Sequence, residues 1–360
     1  MRIGLLIYGS LETLSGGYLY DRKLVEYLRA QGDEVRVISL PWRNYAAHLG
    51  DNLRFRLPPG LDVLIEDELN HPSLLAANRH RLGYPVVSLV HHLRCSEERP
   101  AWQNALYRIV ERRYLASVDG FIFNSQTTRG VVTGLVGDRK PSVVAYPPTD
   151  RFGQALPVET VRARAAEGGP LRLLFLGSVI PRKGLETVLK ALLTQRTRRN
   201  TKETPLFTLD VVGSLTTDRA YARRMEQLAS VFGPSSTVRF HGALDEAALA
   251  AQLRQAQVLV VPSSYEGFGI VYLEGMAFGL PAIGSTAGAA GEIIRPGETG
   301  YLITPGDAQV LAALLQALAT DRSLLAQLAL SALERYKQQP PWEQTAGGIR
   351  EFLVTVMENT

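Results

Sequence analysis

The chain has 360 residues, of which 46% are hydrophobic and 21% are charged, and its formal net charge is +4. These values are those of a soluble globular protein with room for two domains, and the charge is too small to indicate a nucleic-acid partner. A single cysteine, Cys95, excludes an internal disulfide and a cysteine-based metal cluster, and it fits a reducing cytosol. Since the sequence shows neither a signal peptide nor a bilayer-spanning apolar run, we expect a cytoplasmic protein.

The first half of the chain alternates short apolar runs with amphipathic segments. Strands are predicted at 3–8, 35–40, 63–65, 86–90 and 121–123, and helices after Gly16-Gly17, at about 72–81 and at about 101–117. This alternation predicts a parallel, doubly wound sheet. Residues 41–60 have weak periodicity and are interpreted as an irregular connection. The Ser15-Gly16-Gly17 loop after the first strand has phosphate-binding potential, but without a Gly-x-Gly-x-x-Gly pattern a dinucleotide oxidoreductase is disfavoured.

A mixed segment, 151–170, is interpreted as a linker, after which the alternation of strands and helices restarts. Strands are predicted at 171–176, 207–212, 238–241, 258–261, 282–285 and 301–303. Helices are predicted at about 182–196, 218–231, 245–255, 270–278, 307–319, 322–337 and 342–357. We therefore expect a first α/β domain over 1–165, a second over 166–340 and a C-terminal helix over 341–360.

The stretch from Val258 to Glu274 carries the strongest chemical signal. A buried strand ends at Pro262, the turn Glu266-Gly267-Phe268-Gly269 follows, and a helix begins near Ile270. A helix N-terminus after a glycine turn presents N–H groups and a positive dipole end, which suits a phosphate. Because a carboxylate accepts hydrogen bonds from hydroxyl groups, Glu266 and Glu274 could hold a hexose and a ribose on either side of a diphosphate.

A second basic motif follows the first strand of the second domain. Gly177-Ser178 leads to Pro181-Arg182-Lys183-Gly184, where cations stand at the start of a helix. Cations are disfavoured at the positive end of a helix dipole, so a functional role for Arg182 and Lys183 is favoured over a structural one. They could neutralise a diphosphate as it leaves.

Residues Glu266 to Pro281 resemble the nucleotide-sugar signature of the family 4 retaining glycosyltransferases. That family has the GT-B fold, in which two Rossmann-like doubly wound domains face each other across a cleft. Lys183 before Gly184 matches the family's lysine, whereas Ser178 stands where the family commonly has an arginine, and Arg182 could supply the missing charge. The resemblance also implies that the C-terminal helix crosses back to the first domain.

The resemblance implies site residues in both domains and no cofactor or metal. His91, after an apolar strand, matches a histidine that contacts the transferred sugar, and with Glu266, Lys183 and Arg182 it forms the expected catalytic set. The residues expected to bind the donor nucleotide sugar, UDP- or GDP-hexose, are Gly16, Gly17, Gly177, Ser178, Gly267, Phe268, Gly269, Ile270 and Glu274. The acceptor is a hydroxyl group of a lipid, a glycan or a small metabolite. The implied reaction is a front-face transfer with retention of anomeric configuration.

Alternatives remain open at several points. An epimerase or hydrolase on the same fold, or a non-catalytic sugar-nucleotide-binding protein, would carry the same motifs. The acidic run Glu66-Asp67-Glu68 is interpreted as a solvated loop. The helix at 101–117 mixes aromatic residues with arginines, which suits either contact with an anionic membrane surface or a helix that packs its aromatics inward.

Overall fold

The computed structural model describes residues 1–13, 15–80, 83–148, 150–198, 206–233 and 237–359. They form two compact units, one made of 1–148 with 340–360 and the other of 149–339. Each unit contains a six-stranded sheet whose strand pairs are parallel. Parallel strands need crossover connections, and helices supply them here. The predicted α/β class with two Rossmann-like, doubly wound sheets is confirmed.

The first unit has the strand order β2-β1-β3-β4-β5-β6. Its strands are β1 (Arg2–Tyr8), β2 (Glu34–Leu40), β3 (Val63–Asp67), β4 (Val86–Val90), β5 (Gly120–Phe123) and β6 (Ser142–Val144). Its helices are α1 (Gly16–Ala30), α2 (Tyr45–Asp51), α3 (His71–Leu74), α4 (Ala101–Ser117), α5 (Gln126–Val136) and α13 (Trp342–Glu358). One apolar cluster packs α1 and α13 against the sheet, and a second includes residues of α4 and α5.

The second unit has the strand order β12-β11-β10-β7-β8-β9. Its strands are β7 (Leu171–Leu176), β8 (Phe207–Val212), β9 (Val238–Gly242), β10 (Val258–Val260), β11 (Ala282–Ser285) and β12 (Gly300–Ile303). Its helices are α6 (Val158–Ala166), α7 (Leu185–Arg198), α8 (Arg219–Ser230), α9 (Glu246–Gln255), α10 (Ile270–Ala277), α11 (Ala308–Thr320) and α12 (Arg322–Lys337). The central strands β7 and β10 are almost entirely buried, as expected for strands covered on both faces.

The C-terminal helix α13 is part of the first unit. The indole N–H of Trp342 donates to the carbonyl of Lys23 at 2.8 Å, and Thr345 donates to the carbonyl of Tyr146 at 3.0 Å. The guanidinium of Arg350 pairs with Asp33 at 2.7 Å. The chain therefore leaves the first unit at residue 148 and returns to it at residue 340.

The boundary between the units lies before the one expected from the sequence. Residues 149–165 belong to the second unit, because helix α6 within this segment packs against α12. The buried guanidinium of Arg164 donates to the carbonyls of Phe278 and Gly279 at 2.5 and 3.0 Å, which satisfies acceptors at the end of α10. The supposed linker 151–170 thus contains a packed helix, and the hydrogen bonds of Arg164 hold that helix against the end of α10.

Two local predictions in the first unit are wrong. The supposed irregular connection 41–60 contains α2, whose first turn is capped by Asn44 accepting from the N–H of Ala47 at 2.9 Å. The supposed helix 72–81 is reduced to α3 and a 3₁₀ turn at Ala77–Arg79, and its last residue, Arg81, lies outside the described residues. The Asn52 side chain accepts from the N–H of Ala76 and donates to the carbonyl of Pro72. These two backbone groups would bond each other in a continuous helix, so the helix is interrupted here.

Within the described ranges, no helix is both long enough and apolar enough to cross a membrane.

The contact between α6 and the end of α10 depends on a glycine. Gly279 has φ of +64°, and a Cβ there would lie 2.4 Å from Val161 Cγ1. We expect Gly279→Ala to lower the free energy of unfolding by about 2–4 kcal/mol, combining left-handed strain with overpacking. Gly306→Ala is the control, since Gly306 has φ of +81° with open space around its Cβ position, and should cost about 1–2 kcal/mol. Urea unfolding measures both, and equal losses would contradict the packing argument.

Candidate functional site

The candidate site of the second unit lies where its sheet changes winding direction. Strand β8 is on one side of β7 and β10 is on the other, so the loops that leave the carboxyl ends of β7 and β10 diverge there. In doubly wound sheets this switch point is where ligands bind. The two loops are Gly177–Gly184 and Ser263–Gly269, the two motifs that the sequence analysis singled out.

Glu266 and Lys183 form a direct ion pair at this point. The Nζ atom of Lys183 lies 2.8 Å from Oε2 and 3.2 Å from Oε1 of Glu266. The hydroxyl of Ser263 donates to Oε2 at 2.9 Å, and a guanidinium nitrogen of Arg182 lies 4.0 Å from the same oxygen. The structure therefore brings together three of the four residues expected to be catalytic.

Two glycines allow this pair to form. Lys183 ends a 3₁₀ turn, Pro181–Lys183, and Gly184 follows with φ of +76°. A Cβ on Gly184 would lie 2.2 Å from the carbonyl oxygen of Pro262, so only glycine lets the turn approach the end of β10 this closely. The methylene groups of Lys183 pass over Gly177, within 3.5 Å of the position a Cβ would take.

The charges around Glu266 decide its protonation state. Burial alone would raise the pKa of this carboxyl, but the charges of Lys183 and Arg182 and the hydrogen bonds from Lys183 and Ser263 outweigh it and lower the pKa below its usual value. Glu266 is therefore ionised at neutral pH although it is buried. It holds Lys183 in place electrostatically.

Helix α10 begins directly after this pair. Gly269 is its N-cap residue and Ile270 its first residue, so the first-turn N–H groups follow the Glu266 turn in the chain. Phe268, by contrast, is 4% exposed and belongs to the apolar core. Of the predicted donor-binding set, Phe268 supplies packing, while Gly269 and Ile270 form the helix N-terminus that suits an anion.

Glu274 has a partner that the sequence analysis missed. Arg151 Nη1 lies 2.7 Å from Glu274 Oε1, and Arg151 Nε lies 3.2 Å from Glu246 Oε1. Glu274 is buried, so this guanidinium compensates its charge and occupies one of its two oxygens. No local pattern could have found Arg151, because it lies 123 residues before its partner in a segment interpreted as a linker.

Ser178 stands where the family commonly has an arginine, and Arg182 is the nearby residue that carries a positive charge. The Arg182 guanidinium donates to the carbonyl of Tyr265 at 2.9 Å, which holds it beside Glu266. Ser178 lies in the same loop, and its carbonyl accepts from the N–H of Ile180 at 2.9 Å. A second cation is thus present next to Lys183, but it comes from position 182 and not from position 178.

The first unit has its own polar cluster at the carboxyl edge of its sheet. Gly17, in the first turn of α1, lies beside His91, whose ring is 3.4 Å from the Cβ position of that glycine. His91 Nε2 lies 3.1 Å from Oδ1 of Asp21, a fully buried residue of α1. Gly17 and His91 were predicted from the sequence, whereas Asp21 was not. Its place on the inner face of α1, about one turn after Gly17, is the signal that could have found it.

The acidic run Glu66-Asp67-Glu68, at the end of β3, is buried, and the prediction of a solvated loop is wrong. The exposed fractions of Glu66, Asp67 and Glu68 are 0%, 2% and 2%. Burial raises the pKa of each of these carboxyls to about 7, and the charge of Asp21 adds to the effect at Asp67. Glu66 and Asp67 are the last two residues of β3, a strand buried on both faces, so their carboxylates lie in the interior.

His91 experiences these carboxylates directly. Burial alone would lower the pKa of the imidazole, but the hydrogen bond to Asp21 and the charges of Asp21, Asp67 and Glu68 together raise it above 6.5. Asp21 and Asp67 therefore favour the protonated ring. His91 belongs to the first unit, and its role toward a sugar stays a prediction.

Among the described residues, two buried groups have ligand atoms close enough to hold a metal ion. They are Asp21, Asp67 and His91 in one group and Glu68, His71 and Glu111 in the other. Hydrogen bonds within the protein already explain much of both groups. His91 bonds Asp21, His71 bonds Tyr45 through Nε2, and Glu111 accepts from the N–H groups of Arg94 and Cys95.

Comparison with known proteins finds a family model that matches most of the second unit. Residues 159–335 match the family model described as glycosyl transferases group 1, a match that covers just under half of the chain. The D-inositol 3-phosphate glycosyltransferase of Rhodococcus erythropolis is 29% identical over 281 residues, which is 76% of this chain and 63% of that protein. The chain thus spans less than two thirds of the length of this relative. The MMP alpha-(1->4)-mannosyltransferase of Mycolicibacterium hassiacum is 28% identical, with 96% of each chain covered.

Solved structures extend the likeness to the whole fold. The sucrose-phosphate synthase of Thermosynechococcus elongatus has a TM-score of 0.80 with 23% identity and 100% of both chains covered. HepE of Anabaena, solved in complex with UDP and glucose, has a TM-score of 0.72 with 20% identity, covering 99% of this chain and 100% of that one.

The Lys183–Glu266 pair makes a pH-dependent contribution that can be measured. Lys183→Met leaves a buried carboxylate with weaker compensation, so we expect the free energy of unfolding at pH 7 to fall by up to about 3 kcal/mol. In the native protein the pKa of Glu266 is below 4.5, so its stabilisation is present above that value and is lost as the pH falls through the lower folded pKa. The difference between the two proteins should therefore narrow below pH 4.5. Urea unfolding of the two proteins at pH 7 and at a pH below 4.5 measures this difference.

The control for this prediction is Lys190→Met. Lys190 pairs with Glu186 at 2.9 Å on the exposed face of α7, so its loss should cost about 0.5 kcal/mol or less. A loss at Lys183 that does not vary with pH would show that the substitution acts through packing and not through the charge of Glu266.

The contact between Asp21 and His91 also makes the stability depend on pH. Asp21→Asn removes the nearest negative charge, so the pKa of His91 should fall, which NMR titration of the imidazole would report. Since the folded pKa of His91 is raised above 6.5, its stabilisation is complete below 6.5 and is lost as the pH rises through the folded pKa. The variant should therefore lose more stability at pH 6 than at pH 9. Asp62→Asn, which breaks an exposed pair with Arg2, is the control and should leave the His91 titration unchanged.

From these comparisons and the geometry of its sheets, the chain has the GT-B fold, and its second unit contains the segment, 159–335, that matches the glycosyl transferases group 1 model.

Proposed function

We propose that this protein is a retaining glycosyltransferase, which moves a hexosyl group from a nucleoside-diphosphate hexose to a hydroxyl acceptor. The observation that carries the proposal is the Lys183–Glu266 pair at the switch point of the second sheet, directly before the N-terminus of α10. Both residues lie inside the segment that matches the glycosyl transferases group 1 model. A cytoplasmic location is part of the proposal, supported by the single, buried Cys95.

The diphosphate of the donor is the group that this arrangement suits best. Lys183 and Arg182 supply two cations, and the first turn of α10 after Gly269 supplies N–H groups and the positive dipole end. When the bond between the anomeric carbon and the phosphate oxygen breaks, negative charge grows on the leaving diphosphate. Groups already in place stabilise that charge without reorganising, which is the main source of catalysis in such a site.

Glu266 has a double role in this proposal. It holds Lys183 against the leaving group, and its Oε1 atom, at 3.2 Å from the ammonium, retains lone pairs that can accept from a sugar hydroxyl. The acceptor oxygen forms its bond to the anomeric carbon on the face that the diphosphate leaves, and the acceptor proton passes to the departing phosphate oxygen. Since Lys183 and Arg182 carry the compensating charge, we propose that no metal ion is needed.

Glu274 is proposed to hold the ribose. One oxygen is bonded to Arg151, and the other can accept from the ribose hydroxyls, so the ion pair fixes the carboxylate for this task. Arg151 is then a positioning residue that holds Glu274 oriented in a buried place.

The acceptor is proposed to be bound by the first unit, at the carboxyl edge of the sheet, where His91 stands beside Gly16 and Gly17, the two glycines expected to bind the donor. The names of the relatives support hexosyl donors but describe different products: one is a D-inositol 3-phosphate glycosyltransferase and another a mannosyltransferase. HepE was solved with UDP and with UDP-glucose. We therefore propose UDP- or GDP-hexose as the donor and leave the acceptor as a lipid, a glycan or a small metabolite.

The two alternatives differ in what they release. A hydrolase or epimerase on this fold would convert the donor without an acceptor, and a sugar-nucleotide-binding protein would bind the donor without turnover. Turnover that depends on an acceptor separates the proposed transferase from both alternatives.

Donor binding is tested by thermal unfolding with UDP, GDP and ADP in the presence of a chelator. One nucleotide should raise the midpoint, since a ligand at 100 times its Kd adds about 2.7 kcal/mol to the native state. Lys183→Met should weaken that nucleotide at least tenfold, because a charge-assisted contact to phosphate is lost, and Glu274→Gln should weaken it by a similar factor. Lys190→Met, on the exposed face of α7, is the matched control and should bind normally.

Transfer is then measured with the matching nucleotide hexose and a mixture of lipid, glycan and polyol acceptors. Hexose appearing only on an acceptor, with its anomeric configuration retained, supports the proposal. Free hexose without acceptor would identify a hydrolase. No stabilisation by any of the three nucleotides at millimolar concentration would contradict the donor site itself.

A further inference from the structure

Exposed large apolar side chains are concentrated in one part of the first unit. Eight such side chains are found among the described residues, and only Val231 and Val310 lie in the second unit. The other six are Trp42, Leu49 and Leu53, in and around α2, and Trp102, Leu106 and Ile109 in α4. Scattered single residues of this kind need no explanation, but a concentration indicates a contact surface.

Helix α4 has a second apolar face that the fold does not use. Tyr114 and Leu115 are fully buried and attach the helix to the core. Trp102, Leu106 and Ile109 follow each other at spacings of four and three residues, so they form one stripe, and they are 64%, 56% and 51% exposed. Inward packing of the aromatics therefore explains Tyr114 but leaves Trp102 in solvent.

The exposed charges on α4 are all positive. Arg108, Arg112 and Arg113 are exposed, whereas Glu111, the one acidic residue of this helix, is fully buried and accepts from the N–H groups of Arg94 and Cys95. The solvent side of α4 thus combines an apolar stripe with three positive charges.

The other apolar segment adjoins this helix and is also basic. The rings of Tyr45 in α2 and Tyr107 in α4 lie 4.9 Å apart at 79°, and the guanidinium of Arg94 lies over both rings. Around α2, Arg43 is paired with Asp51, while Arg54 and Arg56 are exposed. The two segments therefore touch through these rings, and we call their exposed apolar and basic side chains together the α2–α4 surface.

We propose that the α2–α4 surface binds the headgroup region of an anionic phospholipid bilayer. Exposed tryptophan, leucine and isoleucine can enter the boundary between headgroups and acyl chains, and arginines can contact lipid phosphates. A negatively charged bilayer attracts each such arginine, and the attraction decreases with salt. This proposal uses residues outside the donor site and stands independently of the proposed function.

A second copy of this chain is a poorer occupant of the same surface. Two copies of α4 related by a twofold axis would bring Arg108, Arg112 and Arg113 of one copy near the same residues of the other, since such an interface is self-complementary. Like charges that meet across an interface cost affinity, and α4 offers no exposed carboxylate to compensate them.

The test is flotation of the full chain with vesicles of phosphatidylglycerol and phosphatidylcholine, compared with phosphatidylcholine alone. We expect binding to the anionic vesicles at low salt, at least tenfold weaker binding to the neutral ones, and release at high salt. The apolar variant is Trp102→Ser with Leu106→Ser and Ile109→Ser, and the charge variant is Arg108→Gln with Arg112→Gln and Arg113→Gln. Each should reduce binding at least tenfold.

Matched controls distinguish vesicle binding by the α2–α4 surface from nonspecific hydrophobic adsorption and from misfolding of the variants. Val231→Ser with Val310→Ser removes the exposed apolar side chains of the second unit and should leave vesicle binding unchanged. Thermal unfolding should show that all variants keep the native midpoint, because the substituted side chains are exposed. The measurement needs no nucleotide, so failure of the proposed donor site would not affect it.

Two results would overturn the proposal. The first is an absence of binding to anionic vesicles at low salt by the native chain. The second is vesicle binding that neither triple variant reduces. If light scattering instead showed a dimer that the apolar variant dissociates, together with no vesicle binding, the surface would be assigned to self-association.

Discussion

A buried negative charge at Glu266 is the feature around which the second unit is arranged. Removing a carboxylate from water costs several kcal/mol unless charged or hydrogen-bonding partners replace the solvent. Lys183 and Ser263 are those partners here, with Arg182 at a longer distance. Each partner is held by backbone geometry, and the close approach of Gly184 to Pro262 fixes the most important of them. The requirement to compensate one carboxylate thus explains why a lysine, a serine and two glycines occupy their positions.

The two units place opposite electrostatics at equivalent edges of similar sheets. The carboxyl edge of the second sheet combines cations with a helix N-terminus, which suits an anionic ligand. The carboxyl edge of the first sheet collects buried carboxylates around an imidazole, with Asp67 and Glu68 near their titration points at neutral pH. Such a cluster suits hydroxyl groups and proton exchange better than phosphate. The same topology therefore provides two chemically different environments, and their difference lies in the few residues that follow the strands.

The sequence predicted the parts of this arrangement that depend on local patterns. Apolar runs located eleven of the twelve described strands, all except β6, and the spacing of glycines with Glu266 and Lys183 located the candidate site of the second unit. It missed Arg151 and Asp21, since their partners are 123 and 70 residues away and such pairing exists only after folding. It misjudged the acidic run at the end of β3, because its polar composition suggested a loop although Glu66 and Asp67 belong to the buried strand. It also missed α2 and α6, where a capping residue and long-range hydrogen bonds from Arg164 stabilise segments with weak periodicity.

The return of the chain to the first unit through α13 affects the order in which the protein can be made. The second unit is continuous in sequence from 149 to 339, so a chain emerging from a ribosome can complete its contacts before synthesis ends. The first unit is discontinuous, and Trp342 and Arg350, which bond Lys23 and Asp33, are made only after the second unit. Domains generally fold in the order of synthesis. In this chain the first unit must wait for residues that are made after the second unit, with the face of α1 that receives α13 left uncovered until then.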